Sequence, residues 1–400
     1  MARFGIPNWT ELPKKLQILL FSSFLIPLGS FMVLPFIPIF LSERAGLRLE
    51  VVGLVLGLSS LIQFGGGLIG GIVADRFGLK PTMILALSIR TAGFAFLTIS
   101  HWLPAAMLPA ILIIATGAAL YLPANKAYIV DSVDQEERAI FLSLSNALLN
   151  AGMGLGPLIG GLFILGHSVV LFSGVSLCFL FLVPLHVKLT PQTQPVSVKG
   201  HAFKLSGLIK NFKTAAFPLL VNAISIYIYF FFQNYMGPYT SRLFSPEIYS
   251  IILIINSALI FFIQPLMANW IKRIDYTALL SASFLLMMAG MIAIAKGSLV
   301  ALVIGTILIS LAEIQLFLKN DLEIVEKLRA NPAIAFGLQR LTAGLGTFSS
   351  GVLGGLLLGV ARDHWQNSAL FWICVATQSL VLAAIALLIH VKKIPCFDSK

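Results

Sequence analysis

The stretch GLIGGIVADRFGLKPTMILALSIR, Gly67 to Arg90, reads as two apolar runs joined by a short polar turn carrying Asp75, Arg76 and Lys80. Extended in both directions, the runs occupy about residues 50–73 and 79–100. Each is long enough to cross a hydrocarbon layer about 30 Å thick, which takes about 20 residues of helix. The same pattern continues to both ends of the chain. Only 11% of the 400 residues are charged and 58% are hydrophobic, with a mean hydropathy of +0.95. Soluble globular proteins carry about 25% charged residues, so the solvent for most of this chain is lipid.

Twelve spans are predicted, at about 16–41, 50–73, 79–100, 104–130, 139–165, 168–187, 214–236, 247–270, 276–295, 298–318, 334–360 and 365–390. The apolar runs are continuous rather than alternating, which argues for helices and against a barrel. The first run, preceded by Lys14 and Lys15, is too long for a cleavable signal core. Nineteen basic residues fall at the termini or in the even-numbered gaps, and five (Arg44, Arg48, Arg242, Lys296 and Arg362) fall in the odd-numbered ones. Basic residues favour the cytoplasmic face, so both termini are expected inside. The formal charge of +11 is therefore a topology signal and not a nucleic-acid footprint. Cys178, Cys374 and Cys396 give no disulfide framework. The long polar stretch 190–213 divides the chain into an N-terminal six-helix bundle (1–189), a cytoplasmic linker (190–213) and a C-terminal six-helix bundle (214–400). The halves repeat: Ala151 to Gly156 recurs as Ala343 to Gly346, Gly160-Gly161 as Gly354-Gly355, and Asp131 to Arg138 as Asp321 to Arg329.

The segment Gly71 to Lys80, GIVADRFGLK, resembles the loop signature between the second and third helices of the major facilitator superfamily. Asn150 to Pro157 followed by Gly160-Gly161 resembles the fifth-helix signature of its drug:proton antiporter branch. Leu34-Pro35-Phe36-Ile37-Pro38 and Arg90-Thr91-Ala92-Gly93 are similar to segments of bacterial multidrug-efflux members. Leu79 and Pro81 depart from the family's more basic loop, and Lys272 stands where the second copy of the loop expects an acid. The resemblance implies an all-α membrane fold of two pseudo-symmetric six-helix bundles working by alternating access. It implies proton-coupled efflux of a small amphipathic compound from a bacterial inner membrane by a monomer, with no cofactor. Export of a siderophore or other metabolite, and transport of a sugar or organic anion, are alternatives on the same fold. From another class, a membrane sensor or membrane enzyme would need an added soluble domain or clustered catalytic groups. No phosphate loop, metal cluster or Ser/His/Asp constellation is found.

The resemblance also assigns a conformational latch to Gly71, Asp75, Arg76, Gly78, Lys80, Asp131 and Arg138. In the turn itself, Gly71 and Gly78 permit close backbone approach and an unusual bend. Gly152, Gly156 and Gly160 recur every fourth residue and so share a face, which with Pro157 and Gly161 reads as a close-packing seam.

Charges inside spans are functional candidates because they are costly there. Glu313 is the acid placed well inside a span, on a face with Thr306, Ser310 and Phe317. Its depth matches that of Arg340, which predicts an ion pair; Glu313 is otherwise a proton or cationic-substrate site. Arg90, Arg340, Lys126 and Asn125 are further substrate candidates, Lys126 with Arg340 for an anionic group, as are Tyr227 and Asn234 on one face of the seventh span. Asn146, Asn150 and Gln63 are weaker ones.

Overall fold

The computed structural model describes residues 12–134, 138–189, 212–328, 332–363 and 368–392, and almost all of them are helical. The helices are α1 (Lys14–Val33), α2 (Leu49–Gly65), α3 (Gly67–Phe77), α4 (Leu79–Ile99), α5 (Met107–Asp131), α6 (Arg138–Phe163) and α7 (Ser168–Val187). They continue with α8 (Ala216–Leu243), α9 (Pro246–Arg273), α10 (Tyr276–Ala295), α11 (Leu299–Lys327), α12 (Pro332–Asp363) and α13 (Ala369–Val391). Ten helical segments among the described residues are long and apolar enough to cross a membrane, and Leu49–Gly65 is a shorter apolar helix. The second expected span is therefore two helices, α2 and α3, parted at Gly66. The first bends after Val33, where the 3-10 turn Leu34–Phe36 holds Pro35, a residue that cannot donate to a helical ladder. This arrangement is the twelve-span fold the sequence predicts, with two of its helices broken.

Contacts divide the chain into two compact units. One holds residues 1–37 and 62–200, and the other holds 38–61 and 201–400. Most of the expected linker, 190–211, lies outside the described residues. Residues 38–61 join the second unit because α2 meets α12 backbone to backbone. A Cβ on Gly53 would stand 2.2 Å from the carbonyl oxygen of Gly351, and one on Gly355 would stand 2.5 Å from that of Leu49. The Tyr235 hydroxyl also donates to the Gly351 carbonyl.

In the first unit, the glycines of α6 press on α1. A Cβ would come within 2.4 Å of the Phe24 oxygen at Gly152, 2.8 Å of the Leu28 oxygen at Gly156 and 2.1 Å of the Met32 oxygen at Gly160. Pro157 lies inside α6, and Gly161 is buried beside Gly160. The shared face is thus a close contact of the kind small residues permit in membranes, and its partner is α1 of the same unit. The second unit repeats the device: a Cβ on Gly346 of α12 would meet the Ala223 oxygen of α8 at 2.4 Å.

Candidate functional site

Thr306, Ser310, Glu313 and Phe317 line one face of α11, and in the folded chain that face meets α8 and α9. Glu313 is 8% exposed. Asn256 of α9 donates through Nδ2 to Glu313 Oε2 at 2.8 Å and to Ser310 Oγ at 2.9 Å. The Tyr229 hydroxyl of α8 donates to the same carboxylate. Gln233 Nε2 in turn donates to the Tyr229 oxygen at 2.6 Å, and the Tyr249 hydroxyl donates to the Gln233 carbonyl at 3.1 Å. The Phe317 ring packs edge-on to Tyr229 with centroids 5.2 Å apart. The result is a carboxylate gripped by uncharged donors from two neighbouring helices.

The expected ion pair between Glu313 and Arg340 does not form. Among the described residues Arg340 of α12 has no acid partner, whereas Asn256 and Tyr229 occupy the acceptor positions of Glu313. Matching depth suggests the pairing, but rotation about the helix axis decides it: the polar face of α11 meets Asn256 of α9 and Tyr229 of α8. Asn256, Tyr229 and Gln233 carry the site; Tyr229 and Gln233 stand in the aromatic and polar run of the seventh span, and Asn256 is a polar residue in an apolar run.

The other candidates are placed as follows. Arg90 is 4% exposed in the first unit. Its Nη2 donates to Ser30 Oγ at 2.6 Å, and its guanidinium lies 4.6 Å from the centre of the Phe179 ring. Nε has no partner among the described residues. Gly117 makes room for the side chain, since a Cβ there would stand 2.4 Å from Arg90 Cγ. In the same unit, His186 Nδ1 donates to the Leu182 carbonyl at 2.9 Å, leaving Nε2 to accept from the Tyr121 hydroxyl at 3.0 Å. Nothing in the sequence marks that pair. Among the described residues, buried Asn125 has Oδ1 unpaired and buried Asn234 has Nδ2 unpaired. Lys126 is exposed. Tyr227 donates to Gln378 Oε1 of α13 at 2.7 Å. Asn146 and Asn150 are exposed and Gln63 is half-buried.

In the expected latch, Gly78 turns the chain between α3 and α4 with φ of +93°, a conformation that favours glycine. Gly71 makes no close approach, because a Cβ there would meet nothing within 4 Å; its neighbour Gly70 does so instead, 2.4 Å from the Ala119 carbonyl oxygen. Lys80 Nζ donates at 2.5 Å to the Leu189 carbonyl, just past the end of α7, where a cation complements the helix dipole. Arg76 is exposed over the Phe77 ring, and Asp131 is exposed at the end of α5. The side chains of Asp75 and Arg138 lie outside the described residues.

A family model described as Major Facilitator Superfamily matches residues 19–314. The chain belongs to that superfamily. It is a multi-pass membrane protein. The multidrug resistance protein MdtH of Photorhabdus laumondii is 38% identical over 142 residues, 36% of this chain and 35% of that protein. MdtH of Yersinia pestis is 37% identical over 147 residues, again 36% and 35%. The matched stretch thus spans about a third of these curated relatives. Among solved structures, a peptide transporter POT in complex with sulfate superposes with a TM-score of 0.76 at 17% identity, covering 96% of each chain. The nucleoside transporter NupG superposes with a TM-score of 0.70 at 18% identity, covering 95% of this chain and 99% of that one. At such identities the likeness is one of fold alone.

Proposed function

We propose that this superfamily member is a secondary active transporter that exports a small amphipathic compound, drug-like or metabolic, in exchange for protons. It would act as a single chain in a bacterial inner membrane with both termini cytoplasmic. The halves 1–189 and 214–400, joined by the linker 190–213, would alternate access. Glu313 is the proton or cation site in this reading.

The observation that carries it is the Glu313 carboxylate, buried in the second unit and held by the neutral donors Asn256 and Tyr229. An ionised group at such a place is costly until something neutralises it. A proton does so directly, and so does the positive group of a substrate. Because the two compete for one carboxylate, taking up one releases the other, which is the elementary step of exchange. The likeness of a third of the chain to proteins named for multidrug resistance supports an amphipathic substrate.

The test is transport in proteoliposomes with an acidic lumen and a panel of amphipathic dyes, among them ethidium and Hoechst 33342. Gradient-dependent dye accumulation, abolished by a protonophore, is expected. Glu313→Gln should lower it by about tenfold or more, the effect of roughly 1.4 kcal/mol on the barrier. Full gradient-driven transport by that variant would reduce Glu313 to a structural role. Indifference of every dye to the gradient would overturn proton exchange itself.

A further inference from the structure

A lateral groove of about 350 Å³ lies between α8 and α13, within the second unit, lined by Ile224, Tyr227, Ile228, Thr377, Gln378 and Val381. Tyr227 is the twelfth of the 28 residues of α8, and Gln378 is the tenth of the 23 of α13. At 1.5 Å per residue, Gln378 is about 14 Å along its helix, so the groove sits near mid-depth. Val381 of its lining is exposed and apolar, and so are Leu220 and Leu380 on the same two helices, as lipid-facing residues are.

Two polar groups make this more than a gap between helices. The Tyr227 hydroxyl donates to Gln378 Oε1 at 2.7 Å, and that bond uses one end of the amide. Among the described residues Gln378 Nε2 has no partner. Turning the amide over puts the carbonyl in its place, so one end is unmet in either assignment. The Thr377 hydroxyl donates back to its own helix, to the Ile373 carbonyl at 2.9 Å. In water an unmet amide costs nothing, but in hydrocarbon it costs several kcal/mol. An acyl chain filling the groove would leave that cost standing, because lipid tails carry no hydrogen-bonding group at this depth.

We propose that the groove is a binding site for a small amphipathic molecule dissolved in the bilayer, whose apolar body lies against Ile224, Ile228 and Val381 and whose hydrogen-bond acceptor meets Gln378. The volume suits it, since small-molecule sites run from about 300 to 1,000 Å³. Binding here needs neither Glu313 nor a proton gradient. It rests on the transport reading only in that the groove would collect the exported compound from the membrane.

The test uses the full chain in phosphatidylethanolamine–phosphatidylglycerol nanodiscs with benzophenone, an apolar photoprobe bearing one carbonyl acceptor. Saturable labelling of peptides holding residues 224–228 or 377–382 is expected. Gln378→Leu, which keeps the bulk and removes the amide, should lower labelling about fivefold, the scale of one hydrogen bond. Tyr227→Phe, which frees the whole amide, should keep or raise it. On the unaltered protein, fluorenone should compete about fivefold better than diphenylmethane, which keeps two rings and lacks the carbonyl. Non-saturable labelling, or equal competition by the two, would mean that the groove holds lipid tails and the proposal fails. Because no gradient is applied, a failure here leaves the exchange reading standing, and failure of exchange leaves the binding result intact.

Discussion

Glu313 in the second unit and Arg90 in the first are both buried in mid-helix, and they are treated in opposite ways. Glu313 is met by hydrogen-bond donors from α8 and α9, Tyr229 and Asn256, each of which also bonds a further side chain. Arg90 has one hydroxyl, that of Ser30, an aromatic face from Phe179 and an Nε unpaired among the described residues. The chemistry of the two groups explains the contrast. A carboxylate gains or loses its charge by a single proton, so an environment of fixed neutral donors can hold both forms. A guanidinium keeps its charge at any accessible pH, so its surroundings need only tolerate a permanent cation, and an aromatic face does that at modest cost. Of the two groups, only Glu313 can change its charge by a single proton, as the proposed exchange requires.

The sharpest way to break this contrast is Asn256→Ala. A hydrogen bond to a charged group contributes about 1.5–3 kcal/mol, so gradient-driven transport should fall by roughly 10- to 100-fold with the protein still folded. Wild-type rates in that variant would show that the donors around Glu313 are incidental. Ser30→Ala removes the hydrogen bond between Arg90 and its hydroxyl partner and should lower stability by about 1.5–3 kcal/mol, read from thermal unfolding in detergent. In an Arg90→Met background the same change should cost under about 0.5 kcal/mol, because the partner is already gone. A solvent-exposed carboxylate supplies the control. Asp275 caps α10, accepting from Ala278 N at 3.0 Å, Thr277 Oγ1 at 2.7 Å and His390 Nδ1 at 3.0 Å. Its pKa is lowered, chiefly by the Thr277 hydroxyl. Its stabilisation is therefore present above the ordinary carboxylate range and lost as pH falls through the lowered folded value. Asp275→Asn should cost about 1 kcal/mol or less at neutral pH, a difference that shrinks below about pH 4. Arg90→Met should be smallest, within about 1 kcal/mol of wild type, since relief of desolvation offsets the loss of the Ser30 bond and the ring packing. A collapse of folding in that variant would make Arg90 a stabilising cation rather than a tolerated one.

The polar face of α11 is legible in the sequence. Thr306, Ser310, Glu313 and Phe317 recur at helical spacing, and a lone acid in an apolar run stands out. Its partners are not legible, because Tyr229 and Asn256 lie 84 and 57 residues upstream and spacing carries no information between helices. Depth can be read and azimuth cannot, which is why Arg340 looks like a partner for Glu313. The same limit separates Gly70 from Gly71. They differ by one residue, about 100° of rotation, and only Gly70 faces the Ala119 backbone. Tyr227 is marked by its aromatic and polar surroundings, yet nothing local ties it to Gln378 on the last helix.

The sequence by itself determined the solvent, the helices, the expected topology and the superfamily. In hydrocarbon each helix must satisfy its own backbone hydrogen bonds, so composition and local spacing suffice to define the spans, and a short turn such as that at Gly78 is written in a few adjacent residues. Only the tertiary structure decided which side chains meet: Asn256 and Tyr229 on Glu313, Lys80 on the end of α7, residues 38–61 with the second unit. Those outcomes depend on how each helix is rotated about its axis, and that is set by the close fit of neighbours far away in the chain.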